Sequence, residues 1–164
     1  MSAAHEFPPQ QIRDVVVDVA RLLKEKGETV SVAETAAGGI ISASILSTPG
    51  ASGIYKGGLT LYTLESRIAF GKTILIFPFF SSRLKAGWTP STIQSYRGPT
   101  PQVVEGLAVN IREKLGTLAV ATEKGCFTKE VETGLGGDRE ANMVAFAVEA
   151  LGFLREVVRG EGKL

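Results

Sequence analysis

Residues 29–33 (TVSVA) form a short, β-branched and uncharged segment between two helix-forming segments. Strands that are buried on both faces of a parallel sheet have this composition. Before it, apolar residues recur at helical spacing from Gln10, and Gly27 follows a lysine-rich last turn. The apolar positions of this predicted helix are Ile12, Val15, Val16, Val19, Leu22 and Leu23. After the strand, a glycine-rich turn leads to a predicted helix over residues 40–46. A helix, a buried strand and a second helix predict an α/β fold.

The rest of the chain continues this alternation of helices and strands. Residues 57–64 (GGLTLYTL) predict a second strand and residues 118–122 a third. Pro101, which follows Thr100, predicts a helix start. Its apolar stripe comprises Val103, Val104, Leu107, Ala108, Ile111 and Leu115. Asp138 predicts the N-cap of a last helix. Its inward-facing residues are Val144, Ala147, Val148, Leu151 and Leu154.

These elements predict one domain of the α/β class. We expect a three-layer α/β/α sandwich around one central sheet, formed by residues 10–164. We expect residues 1–9 to form a flexible N-terminal tail.

Charge and composition exclude several kinds of function. The chain has 18 Lys and Arg against 17 Asp and Glu, a formal net charge of +1, and its basic residues are scattered. It therefore lacks the basic patch that nucleic acids or anionic membranes require. His5 and Cys126 are its only histidine and cysteine, which excludes an intrachain disulfide, a Cys/His zinc site and a Ser-His-Asp triad. The longest apolar run, residues 74–80, is broken by Pro78 and too short to span a bilayer. We expect a soluble, cytoplasmic protein.

The glycine-rich turn after the first strand is the first candidate site. In open α/β sheets, ligands bind beyond the carboxyl ends of the strands, where Glu34, Thr35, Gly38 and Gly39 stand. The turn amides could hold an anion, or Thr35 could be a hydroxyl nucleophile whose oxyanion these amides stabilise. The alternative is an ordinary turn with Thr35 as a cap. The local pattern alone favours this alternative, because such turns are common.

Four segments in one order resemble the CinA C-terminal domain family. The bacterial pattern is a strand with Ala-Glu-Ser-Cys-Thr-Gly-Gly, then Pro-Gly-Ser-Ser, then Thr-Tyr-Ser-Asn-x-Ala-Lys, then Gly-Asp-Arg before a helix. This chain has AETAAGG at residues 33–39, PGAS at 49–52, TLYTLESR at 60–67 and GDR at 137–139. The resemblance covers about residues 12–158. It implies a self-associating α/β/α domain that hydrolyses the carboxamide of nicotinamide mononucleotide to nicotinate mononucleotide and ammonia, with neither metal nor organic cofactor.

The resemblance assigns catalytic roles to three positions. The family's nucleophilic serine aligns with Thr35, which keeps the hydroxyl but adds a methyl group that restricts χ1. The family's tyrosine is kept as Tyr62, as a proton relay or a substrate contact. The family's lysine aligns with Arg67, which stays charged and so cannot replace a lysine base, although it can neutralise phosphate.

The resemblance also implies substrate contacts. Glu34, Gly38 and Gly39 belong to the turn, and Asp138 and Arg139 keep the late motif. Arg139 near a helix N-terminus can contact a nucleotide phosphate. The alternative is a solvated cap and a surface arginine.

Two whole segments depart from the family pattern. The family's Gly-Ile-Ala-Gly-Pro ligand loop and the next core strand are missing, and only Thr122 and Gly125 can be matched to that loop. Residues 73–85 look inserted, either as translated intron sequence or as an apolar edge strand or dimer contact. A lost strand exposes a sheet edge, which together with the apolar run predicts a homodimer or larger assembly. The alternative is that the run folds back into the gap left by the missing strand, so that the chain stays monomeric.

Two functions remain open from the sequence. The first is a weakened amidohydrolase that acts through Thr35. The second is a non-catalytic member that binds a nucleotide or a protein partner, because the serine, the lysine and the glycine-rich loop are all lost.

Overall fold

A computed structural model describes residues 7–70, 94, 96, 101–115, 121–122, 125–127, 129 and 131–162. The helices of this part are α1 (Gln10–Lys26), α2 (Ile40–Leu46), α3 (Leu64–Phe70), α4 (Pro101–Leu115) and α5 (Arg139–Arg159). The strands of this part are β1 (Val30–Glu34), β2 (Tyr55–Thr60), β3 (Ala121–Thr122) and β4 (Gly125–Cys126). The predicted mixture of helices and strands is confirmed.

The strands β1 and β2 form a parallel pair that positions the site. Ser31 lies opposite Gly57, and Glu34 lies opposite Thr60 at the carboxyl end. The second strand ends earlier than predicted, because β1 ends at Glu34, opposite Thr60, and residues 64–70 form α3. Tyr62 therefore lies in the connection after β2 and Arg67 in α3.

The main apolar core lies between α1, α2, α5 and the β1–β2 pair. All six predicted apolar positions of α1 are buried. In α5, Ala147, Leu151 and Leu154 are buried, and Val144 and Val148 pack against the same cluster. Amphipathic spacing predicted the buried faces of α1 and α5, because one apolar stripe of each helix packs against the other elements of the core.

The helix α4 packs against β1 and β2 separately from this cluster. Its Leu107 and Ile111 are buried and do not belong to the cluster of α1, α2 and α5. The helices thus form two groups around the β1–β2 pair. The prediction that Val104 is buried is wrong: Val104 is exposed because the stripe follows the i, i+4 row through Leu107 and Ile111.

The predicted third strand does not extend the central sheet in the described part of the chain. Ala121 pairs with Cys126 and Thr122 with Gly125, so β3 and β4 form their own antiparallel hairpin. Only two residues separate these strands, a connection that suits an antiparallel hairpin, whereas parallel strands need a long crossover. Residues 118–120 lie outside the described residues.

Residues 7–9 of the predicted tail are anchored to α1. Pro8 is buried, and its carbonyl accepts a hydrogen bond from Nη2 of Arg13 at 3.0 Å. The Pro9 carbonyl accepts from the amides of Ile12 and Arg13. Of the helices in the described ranges, none combines the length and apolar character that crossing a bilayer requires.

Some predictions concern residues outside the described part. These are the tail before residue 7, the insertion at residues 73–85 and the apolar run at residues 74–80. Self-association, which rests on that run and on the lost strand, stays a prediction.

Gly58 provides a test of packing between β2 and its neighbours. A Cβ at Gly58 would lie 2.7 Å from Oγ of Ser42 and 3.0 Å from the Val32 carbonyl oxygen, and it would also overlap Oη of Tyr55. We expect Gly58→Ala to lower the free energy of unfolding by about 2 kcal/mol, as overpacking does. Urea denaturation measures this change.

Gly152 supplies the matched control for this test. It lies inside α5, and a Cβ there meets nothing within 4 Å. Gly152→Ala is therefore expected to raise the free energy of unfolding by about 0.5–1 kcal/mol, the usual gain in a helix interior. An equal effect of both substitutions would contradict the packing argument at Gly58.

Candidate functional site

A cleft opens where the segments after β1 and β2 meet the beginning of α5. Its volume is about 330 Å³, at the lower end of the ~300–1,000 Å³ of small-molecule sites. It is lined by Thr35, Ala36, Tyr62, Arg67, Gly136, Gly137, Arg139, Asn142, Met143 and Phe146. The structure thus brings together the three predicted catalytic residues and Arg139.

Glu34 caps α2 from inside the protein. Its buried Oε2 accepts from the amides of Gly39 at 2.9 Å and Ile41 at 3.1 Å. Its Oε1 accepts from the Ser42 amide at 2.8 Å and from Oγ of Ser42 at 2.5 Å. Glu34 is not among the residues that line the cleft. The structure thus gives Glu34 a capping role, and its predicted role in substrate binding stays a prediction.

The same contacts correct the prediction that this turn holds an anion. The amides of Gly39, Ile41 and Ser42 already donate to the carboxylate of Glu34. Because a negative charge of the chain itself occupies the start of α2, a ligand anion has no place at these three amides. The turn instead presents Thr35, which is partly buried, to the cleft.

Gly38 shapes the wall of the cleft without lining it. Its φ of 66° lies in the left-handed region. A Cβ on Gly38 would lie 2.6 Å from Cε of Met143, which is a lining residue. Gly38 thus leaves room for Met143 to pack against the turn.

Buried Glu34 and partly buried Ser42 and Tyr55 form a polar cluster that the sequence analysis missed. Burial raises the pKa of Tyr55, and the charge of Glu34 raises it further, while a hydrogen bond with Ser42 opposes both. Tyr55 therefore remains a neutral hydrogen-bonding group at neutral pH. The sequence signal for this pair is Ser42, a polar residue in an apolar helix, together with Tyr55 on the strand that the helix faces.

Arg67 is a buried cation on the wall of the cleft. Its side chain is on α3, and the residue is only 8% exposed. Its Nη1 donates to Oη of Tyr96 at 2.6 Å, and its guanidinium carbon lies 5.8 Å from the centre of that ring. Among the residues that the structure describes, its buried Nε has no hydrogen-bond partner and no carboxylate forms a salt bridge with it.

Tyr62 and Arg139 form a stacked pair at the rim of the cleft. Tyr62 is 61% exposed, and the guanidinium carbon of Arg139 lies 5.0 Å from its ring centre. This distance is within the range of a cation–π interaction. The stack joins the segment after β2 to the first residue of α5.

The start of α5 confirms the predicted cap. Oδ1 of Asp138 accepts a hydrogen bond from the Ala141 amide at 3.0 Å. Asp138 caps the helix, while the cleft is lined by the neighbouring Gly137 and Arg139. The positive end of a 21-residue helix thus opens beside the cleft.

Asn142 holds the glycine loop that precedes α5, and sequence reasoning missed it. Its Nδ2 donates to the carbonyls of Gly136 at 3.0 Å and Asp138 at 2.6 Å, and its Oδ1 accepts from Oγ1 of Thr133. Three hydrogen bonds therefore hold the loop against the helix. The sequence signal for this role is an asparagine inside a helix. Asparagine has a poor helix propensity and favours hydrogen bonds between its side chain and the nearby backbone.

Thr122 and Gly125 lie opposite each other as a cross-strand pair of the β3–β4 hairpin. Their predicted role in substrate binding stays a prediction. Gly39 lies outside the lining, at the start of α2. Within the described ranges, no three His, Cys, Asp or Glu side chains converge as metal ligands do.

Comparison with known proteins identifies similar sequences. Residues 12–71 match the CinA C-terminal domain family. The chain is 30% identical over 106 residues to a CinA-like protein of Dictyoglomus thermophilum, covering 65% of this chain and 21% of the relative. It is 48% identical over 50 residues to a CinA-like protein of Dictyoglomus turgidum, covering 30% of this chain and 12% of the relative. The chain thus spans about a fifth or less of the length of these curated relatives.

The fold is similar to solved structures over nearly its whole length. The competence/damage inducible protein CihA from Agrobacterium tumefaciens superposes with a TM-score of 0.70 at 14% identity. The match covers 92% of this chain and 97% of that chain.

Proposed function

Because residues 12–71 of this chain match the CinA C-terminal domain family, we propose that its cleft binds nicotinamide mononucleotide or a closely related small nucleotide and hydrolyses the carboxamide only slowly. The observation that supports this proposal is the lining of the cleft. Among the described residues, it combines the Thr35 hydroxyl with two arginines and contains no carboxylate, histidine or lysine. Such a lining suits anion binding better than proton transfer.

The rim of the cleft supports phosphate binding. Arg139 is exposed at the first turn of α5, where the helix dipole favours negative charge. The Tyr62 ring lies beneath its guanidinium and restricts its position. A phosphate at this place receives charge-assisted hydrogen bonds from a pre-positioned donor. Phe146 and Met143 provide apolar surface for the rest of a nucleotide.

Thr35 supplies the nucleophile for the proposed reaction. Its hydroxyl oxygen attacks the carboxamide carbon, the C–N bond breaks, ammonia leaves, and water then hydrolyses the resulting ester to the carboxylate. The hydroxyl proton must pass to a base during the attack, and the leaving nitrogen must receive a proton. A guanidinium group is a poor general base, so Arg67 does not supply the acceptor for the proton of Thr35. Slow turnover follows from this missing acceptor.

Calorimetry with two ligands tests the binding. We expect nicotinamide mononucleotide to bind and nicotinamide riboside, which lacks the phosphate, to bind about tenfold or more weakly, because a charge-assisted contact is lost. Arg139→Ala should lower the affinity for nicotinamide mononucleotide but not the affinity for nicotinamide riboside, so that the two affinities become similar. Arg21→Ala, on the exposed face of α1, is the control and should change neither affinity.

The ammonia assay tests the reaction. We expect release from nicotinamide mononucleotide about 10²- to 10⁴-fold slower than at a site with a positioned base, the usual contribution of general acid–base catalysis. Undetectable nucleotide binding would overturn the proposed function. Fast release of ammonia would support the proposed ligand but overturn the proposal that turnover is slow.

A further inference from the structure

The two arginines of the cleft lie at different depths. Arg67 is 8% exposed and belongs to α3, whereas Arg139 is exposed at the start of α5. Both line the same cavity. Arg139 therefore lies at the rim and Arg67 at the floor, and a ligand in the cleft meets two separate positive charges.

The contacts of Arg67 leave its charge without an anion in the described part of the chain. Tyr96 supplies a neutral hydroxyl at 2.6 Å and a ring face, which satisfy one N–H and only part of the charge. The buried Nε finds no acceptor among these residues. Burying a cation and an N–H donor in this way costs free energy unless an anionic acceptor joins them. The cleft is the space from which such an acceptor can come.

The chemistry of a guanidinium restricts what this acceptor is. Its planar, forked N–H groups match the two oxygens of a carboxylate and form parallel charge-assisted hydrogen bonds. A carboxamide offers one acceptor oxygen, and its NH₂ group would face N–H donors. A floor that carries Arg67 thus discriminates between an acid and the corresponding amide.

We infer that the floor of the cleft is a carboxylate subsite, and that the preferred ligand carries a phosphate at Arg139 and a carboxylate at Arg67. This inference rests on the proposed function for the nucleotide part of the ligand. Within that reaction the acid is the product and the amide the substrate. The cleft therefore holds nicotinate mononucleotide more tightly than nicotinamide mononucleotide and acts as a receptor for the acid.

Calorimetry of the full chain with both nucleotides tests the inference without any substitution. We expect the acid to bind about tenfold or more tightly than the amide at pH 7, because only the acid forms a charge-assisted pair with the floor. Equal affinities, or tighter binding of the amide, would overturn the carboxylate subsite while leaving the proposed function intact. Binding of neither nucleotide would overturn both.

Variants at the two arginines separate the floor from the rim. Arg67→Met keeps the length of the side chain and removes its charge, so the acid and the amide should bind equally. Arg139→Ala should lower the affinities for both nucleotides by the same factor and leave the ratio of the two affinities unchanged. If Arg67 instead bound the phosphate, Arg67→Met would lower the affinities for both nucleotides equally. This result would overturn the inference.

A second variant protects the test against loss of folding. Arg67→Lys keeps a positive charge at the floor but loses the fork, so the preference for the acid should fall while both nucleotides still bind. Thermal unfolding of each variant checks that the fold is retained. An unchanged ratio in a folded Arg67→Lys protein would contradict recognition by the fork.

Discussion

The double variant Thr35→Ser/Arg67→Lys is expected to release ammonia from nicotinamide mononucleotide about 10²-fold faster than the unmodified chain, because it creates a base beside a less hindered nucleophile. Serine removes the methyl group that restricts χ1 of Thr35. An amine at position 67 would be buried, as Arg67 is, and burial lowers the pKa of an amine by disfavouring its charged form. A coupled ammonia assay measures the rate.

The single variants and the pH profile test whether the two residues act together. Each single substitution should raise the rate by much less than its share of the double effect, because a nucleophile and its base act as a unit. The rate of the double variant should rise with pH through an apparent pKa below the ordinary value for lysine. Arg159→Lys, at the far end of α5, is the control and should leave the rate unchanged. Additive single effects would contradict the pairing.

Glu34→Gln is expected to lower the free energy of unfolding by about 3 kcal/mol, because hydrogen bonds to a buried charged group are lost and one donor then faces another. The carboxylate is 2% exposed and accepts four hydrogen bonds from the start of α2. Glutamine keeps the size of the side chain, but its NH₂ group replaces one accepting oxygen. Urea denaturation measures the loss.

A surface glutamate provides the matched control. Glu25 lies exposed on α1, where it pairs with Arg21 at 2.9 Å. Glu25→Gln should change the free energy of unfolding by less than about 0.5 kcal/mol, as is usual for exposed pairs within a helix. Similar losses at the two positions would refute the role of Glu34 as a buried cap.

Helical segments of this fold were predictable because their signals are local. The bounds of α2 agree with the prediction, Asp138 caps α5, and the apolar stripe of α1 is buried as expected. The end of β2 was not predictable in this way, because the alternation in residues 57–64 continues past Thr60 although the chain turns into α3. The β3–β4 hairpin likewise depends on a choice of partner strand that periodicity does not encode.

Some features of the candidate site were predictable from local motifs, and others depend on tertiary contacts. The ordered motifs identified Thr35, Tyr62, Arg67 and Arg139, and all four line one cleft. The capping role of Glu34 was not predicted, because a carboxylate beside a glycine-rich turn has the same sequence pattern whether it binds a ligand or caps a helix. The contact between Arg67 and Tyr96 joins residues 29 positions apart and leaves no periodic signal. Such contacts exist only once the tertiary structure has formed.

The position of α5 makes the cleft a late product of folding. This helix packs mainly against α1, at the other end of the described chain, and it supplies Arg139, Asn142, Met143 and Phe146 to the cleft. Contacts between segments so far apart in sequence form slowly, because a long loop must close before they stabilise the chain. During synthesis, the segments before α5 emerge from the ribosome first, and four of the ten lining residues among the described residues are then still absent. The cleft is therefore complete only after α5 has docked, and a measurement of binding at the cleft reports on the docking of this helix.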